Sequence, residues 1–111
     1  DSKVTDSATQ SASMTELATN IANNKWAIGY DGFGAYNKAN ANGQKLVAMK
    51  VDGVEATEAN IISGDYKIQR PVMFVGVGEP SSSEQAFIDY IFSDAGIKVI
   101  RSNGYIPSFT A

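Results

Sequence analysis

Ser63-Gly-Asp-Tyr-Lys-Ile-Gln-Arg-Pro-Val-Met-Phe-Val-Gly-Val-Gly78 is the stretch whose reading decides the fold. Its second half, Val72 to Val77, is a short continuous apolar run rich in β-branched and aromatic residues and closed by glycines. That is the pattern of a strand buried on both faces. Arg70 precedes Pro71, whose ring pushes it out of the helical region, so the chain enters the run already extended. A doubly buried strand needs cover on each side, and the expectation is a small α/β domain.

Downstream, Gly76-Val-Gly78 begins a glycine pattern that a phosphate-gripping loop would complete with glycine at position 81, where the chain has Ser81. Pro80, Ser81, Ser82 and Ser83 with Glu84 and Gln85 are better read as helix-capping chemistry. The helix that follows carries Phe87, Ile88, Ile91, Phe92 and Ala95 on one stripe, a spacing that denotes core rather than a ligand box. Gly96 is expected at a break, with Ser93 or Asp94 capping a second short helix that runs to Asn103-Gly104. Tyr105 to Phe109 reads as an extended tail that Pro107 keeps out of a helix.

Upstream, Asp52-Gly53 lies between Leu46–Val51 and Val54–Ala56, a strong hairpin signal. Thr57 is expected to cap a short helix over 58–62, with Gly64 ending it in a left-handed residue. Trp26 to Tyr30 reads as a strand in which Gly29 marks a bulge or a close backbone approach. Asp31-Gly-Phe-Gly34 loosens the backbone, and Asn37 to Gln44 is expected to be a polar surface loop. Met14, Leu17, Ala18, Ile21 and Ala22 form one face of an amphipathic helix, headed by the capping box Ser13-Met-Thr-Glu16 and stopped by Asn23-Asn24. Before it, Asp1 to Gln10 is expected to be a frayed start or a short edge strand. The N-terminus of this helix, with Ser11 and Ser13, is a candidate anion site through its free N–H groups. Simple capping by the same residues is the preferred alternative.

Composition narrows the function. At 111 residues the chain is expected to be one domain, residues 1–111 forming a single segment. A hydrophobic share of 43% with no run of about 20 apolar residues leads to the expectation of a soluble protein. A net charge of -3 without a Lys/Arg cluster argues against a nucleic-acid partner. Cysteine and histidine are both absent, which excludes disulfides and Ser-His or Cys-His nucleophile systems within the chain and leaves no usual zinc ligand set. Asp52, Asp65, Asp89 and Asp94 are scattered over turns and helix faces without the pairing of an acid and a base. Neither a cofactor nor a metal is expected.

Several motifs occur in order: Ala27-Ile-Gly-Tyr30 after a small-residue helix, Val51-Asp-Gly-Val54 with Thr57-Glu-Ala-Asn-Ile61, Ser63-Gly-Asp-Tyr66 with Arg70-Pro71, Phe87-Ile-Asp-Tyr-Ile-Phe-Ser-Asp-Ala-Gly96, and Gly104-Tyr-Ile-Pro107. Together, from Ser11 to Ser108, they resemble the C-terminal portion of the phosphate-binding substrate-binding proteins of phosphate ABC transporters. Ile97 and Lys67 depart from the Gln and Pro more often found in that family. The resemblance implies a periplasmic-binding-protein-like, type II α/β fold of two lobes, with a small mixed sheet flanked by helices and an anion clamped between the lobes. It implies an extracytoplasmic protein, periplasmic or a cell-surface lipoprotein, whose partners are inorganic phosphate and the membrane subunits of an ABC transporter.

The family's anion ligands lie mostly in segments before the one that matches Asp1, so the chain corresponds to a fragment lacking most of them. Arg70 belongs to an element that looks structural in the family. Strands and helices separated from their partners would leave apolar faces uncovered, and a homodimer formed by exchange of elements is expected. The alternative function is a standalone, non-catalytic scaffold or a self-associating interaction domain.

Overall fold

The computed structural model describes residues 3–108. Asp1 and Ser2, at the start expected to fray, and Phe109, in the expected tail, lie outside the described residues. The regular elements described are five helices: α1 (Met14–Ala22), α2 (Phe33–Ala41), α3 (Glu58–Ser63), α4 (Ser82–Phe92) and α5 (Asp94–Ser102). No named strand accompanies them among the described residues, only one isolated antiparallel bridge between Val51 and Val54. No described helix is long and apolar enough to cross a membrane. The chain divides into two compact units, Asp1–Val47 with α1 and α2, and Ala48–Ala111 with α3, α4 and α5.

In the first unit, α1 follows its sequence pattern. Ser13 is the N-cap, its hydroxyl accepting the Glu16 N–H at 3.1 Å. The Glu16 carboxylate accepts from Ala12 N–H at 3.0 Å rather than from the cap residue itself, so the capping box is shifted by one residue. Ala18 is buried, with Leu17 and Ile21 half-buried beside it. Trp26 lies in a turn and residues 27–30 form no regular element, and Gly29 is the close approach: a Cβ there would meet Ile21 Cδ1 at 3.0 Å. The alternate residues Trp26, Ile28 and Tyr30 point away and are 83%, 77% and 76% exposed. The segment forms no strand, and of residues 26–30 only Ala27 is partly covered.

The expected polar loop over 37–44 needs correction, because α2 occupies residues up to Ala41. Gly34, Asn37 and Asn40 are poor helix formers, and the element has no polar–apolar contrast to reveal it. Side-chain contacts within it and just after it support it. Phe33 and Tyr36, one turn apart, approach to 6.3 Å between ring centroids. The Asn40 side chain accepts from Leu46 N–H at 2.8 Å and donates to Leu46 carbonyl at 3.0 Å, clamping the return of the chain. Gln44 Nε2 donates to Thr19 Oγ1 on α1 at 3.2 Å.

In the second unit, Asp52 (φ 52°) and Gly53 (φ 80°) are both left-handed, as a tight hairpin turn demands, and Val51 and Val54 exchange hydrogen bonds of 3.0 and 2.9 Å. The expected flanking strands do not extend the ladder beyond that pair. Thr57 caps α3 by accepting from Asn60 N–H, and Gly64 ends it at φ 80° as expected. Ser81 and Glu84 form a complete capping box on α4. Ser93 both ends α4 and caps α5, so the break falls there, with Gly96 inside the first turn of α5. Gly96 is buried against the carbonyls of Tyr90 and Ile91, with no room for a Cβ. Arg101 on α5 pairs with Glu58 on α3 at 2.8 Å.

Val72 to Val77 departs most from the expectation. The segment forms no strand, and residues 67–80 make no backbone–backbone hydrogen bond to any described residue. Val72, Val75 and Val77 are 82%, 93% and 105% exposed. A doubly buried strand owes its geometry to neighbours, and no described segment of this chain pairs with it.

Candidate functional site

The residues singled out for anion contact, Ser11 and Ser13, sit together at the head of α1. Both hydroxyls are already engaged: Ser13 Oγ with Glu16 N–H, and Ser11 Oγ with the Asn20 side-chain amide at 3.2 Å. The N–H groups of Met14 and Thr15 lie in the first turn, where an α-helix supplies no intrahelical acceptor. The nearest anion is the chain's own Glu16 carboxylate, held on Ala12 N–H. The local chemistry is that of a satisfied cap on which an external oxyanion would compete with Glu16.

The second unit contains a feature the sequence does not single out as a site. The exposed run from Phe74 to Pro80 and the first two turns of α4 enclose an open groove of about 450 Å³ lined by Phe74, Val75, Val77, Phe87 and Ile88. Phe74 and Phe87 meet edge to face at 6.3 Å between centroids. Glu79, Ser83 and Glu84 at its rim supply no cation for an anionic ligand. Both apolar patterns that line it are visible in the sequence, each with the spacing of covered core.

The acidic residues do not converge. Asp65 accepts from Ser63 Oγ at 2.8 Å and Asp89 from Gln85 Nε2 at 2.7 Å, each bond local to one turn. Among the described residues no group of three acidic side chains could hold a metal ion. Glu55 is held below the usual carboxylate range by its hydrogen bond and charge interaction with Lys50, 2.8 Å away on the exposed hairpin. Glu84 is lowered by the Ser81 hydroxyl and then by the Ser81 backbone N–H, which is capping-box chemistry rather than acid–base tuning. Arg70 is exposed and in no ion pair with a described residue.

Comparison with known proteins gives a consistent answer. Residues 1–95 match the profile of the PBP superfamily domain. Phosphate-binding protein PstS 2 of Streptococcus agalactiae serotype V is 38% identical over 103 residues, covering 92% of this chain and 33% of that protein. Phosphate-binding protein PstS 2 of Streptococcus pneumoniae serotype 4 is 32% identical over 90 residues, 81% of this chain and 29% of that protein. Phosphate-binding protein PstS of Bacillus subtilis is 30% identical over 108 residues, 92% of this chain and 34% of that protein. The chain thus spans about a third of the length of the curated relatives it matches. No solved structure matches it.

Proposed function

The chain belongs to the PBP superfamily and has its periplasmic-binding-protein-like fold, and from that premise we propose that it is part of the phosphate-binding component of a phosphate ABC transporter. The whole protein holds inorganic phosphate outside the cytoplasm, as a periplasmic or lipid-anchored surface protein, and delivers it to the transporter's membrane subunits. It performs no catalysis and needs no cofactor. The observation that carries this reading is the match along 92% of the chain to proteins named for phosphate binding. Recognition of the anion in such a site is charge-assisted hydrogen bonding from fixed donors.

The finer fold belongs to the same proposal. Residues 1–111 are one segment of a two-lobed, type II α/β protein, and its division into two units supports a passage between lobes. Trp26 to Tyr30 and Val72 to Val77 are strands of mixed sheets completed by the rest of the protein. The support lies in their exposed apolar side chains and in the close approach of Ile21 to Gly29. Most anion donors lie in the remainder of the protein, so residues 1–111 alone bind phosphate weakly or not at all.

For Ser11 and Ser13 two readings stand. Replacing both by Ala in the whole protein leaves phosphate affinity unchanged if they only cap α1. It weakens affinity about tenfold or more if they touch the anion, the effect of losing roughly 1.4 kcal/mol. Titration calorimetry of the whole protein with phosphate, sulfate and arsenate tests the functional reading itself, and no heat with any oxyanion would overturn it.

A second reading is a self-associating scaffold without a small ligand, favoured by the exposed apolar groove beside α4. In isolation, copies of residues 1–111 cover these faces by exchanging elements as a homodimer.

A further inference from the structure

The chain has two Asn-Gly steps in nearly identical backbone settings. Asn42 closes α2 at φ -88° and ψ 12°, and Asn103 closes α5 at φ -91° and ψ 7°. Each is followed by a left-handed glycine, Gly43 at φ 91° and Gly104 at φ 81°. Each glycine N–H donates to the carbonyl three residues before it, Asn40 or Arg101, at 3.0 Å. Both asparagines are exposed. Their side chains differ: Asn103 Nδ2 donates to Val99 carbonyl at 2.8 Å, whereas the Asn42 amide makes no hydrogen bond to any described residue.

We propose that Asn42 is a site of spontaneous deamidation and that the hydrogen bond of Asn103 protects the otherwise equivalent second step. The Gly43 backbone nitrogen loses its proton to hydroxide and attacks Asn42 Cγ, forming a carbon–nitrogen bond that closes a five-membered succinimide. The side-chain nitrogen leaves as ammonia. Water then adds to either imide carbonyl and breaks one of its bonds to nitrogen, giving aspartate or isoaspartate at position 42. Hydroxide and water are the only co-reactants. Glycine at the following position leaves the approach to Cγ uncrowded by a Cβ. At Asn103, Cγ can reach the backbone nitrogen only by giving up the bond to Val99.

The change bears on the first unit. Aspartate at 42 sets a negative charge against the C-terminal end of α2, where the helix dipole disfavours it. Isoaspartate also inserts a methylene into the turn that brings Gln44 N–H to Ala39 carbonyl at 3.1 Å and Gln44 Nε2 to Thr19. The contact between α2 and α1 loosens as a result.

The test is peptide mapping by mass spectrometry after incubation at mildly alkaline pH, once in buffer and once in concentrated urea. In buffer, conversion at Asn42 is expected to be several-fold faster than at Asn103, and in urea the two rates converge because the α5 hydrogen bond is gone. Equal rates in buffer, faster conversion at Asn103, no conversion at Asn42, or a preference that survives in urea would each overturn the proposal.

Discussion

At the scale of single residues, Gly96 carries the sharpest constraint. Its backbone packs where a Cβ would collide with the Tyr90 and Ile91 carbonyls, which belong to the α4 backbone and cannot swing aside as a side chain would. Gly96→Ala is expected to lower stability by about 3 kcal/mol, the upper range for overpacking, as read by urea denaturation of the second unit. A loss near zero would mean that the α4–α5 corner is not packed as described. Glu84 gives a pH dependence whose sign can be worked out. Its pKa is lowered in the folded chain by Ser81, so its contribution is complete above the ordinary glutamate value of about 4.3 and is lost as pH falls through the lowered folded value. Circular dichroism should register fraying of α4 on acidification through that window, and Glu84→Gln should flatten the response. Persistence of the full acid response in that variant would assign it to other groups.

At the scale of elements, what could be read from the sequence divides by where each element gets its stability. The caps at Ser13, Thr57, Ser81 and Ser93, and the left-handed Gly64, are interactions within a few residues, and each forms where the sequence indicates. The α2 helix was not legible because Gly34, Asn37 and Asn40 mask it locally, while the side-chain clamp of Asn40 on Leu46 and the bond of Gln44 to Thr19 leave no periodic signal in the sequence. Val72 to Val77 carries the pattern of a buried strand but forms none and lies uncovered, since a sequence records a residue's preference for burial and not whether its cover is present. The candidate anion site was legible only as capping residues, and the groove beside α4 only as two apolar patterns with the spacing of covered core. The uncovered run makes a prediction at this scale. In sedimentation or light scattering, residues 1–111 should self-associate as concentration rises, and Val75→Lys should shift them toward monomer by placing a charge on the bare face. A clean monomer at high concentration for the unsubstituted chain would remove the exchange of elements.

At the scale of the whole molecule, the described core is thin. Among the described residues the buried apolar side chains are the small Ala18, at 3% exposed, and Pro107, while Trp26, Val47 and the Val72–Val77 run lie open. A protein with so much apolar surface uncovered is expected to find its remaining contacts elsewhere. Relatives about three times as long, named for phosphate binding, supply the reading in which it does so. The central claim is that these elements complete a two-lobed phosphate receptor whose gripping residues lie in the rest of the protein. Its most direct test is a paired calorimetric titration with inorganic phosphate, of the whole protein and of residues 1–111 alone. The whole protein should bind saturably while residues 1–111 give no measurable binding; micromolar binding by residues 1–111, or none by the whole protein, would contradict the account.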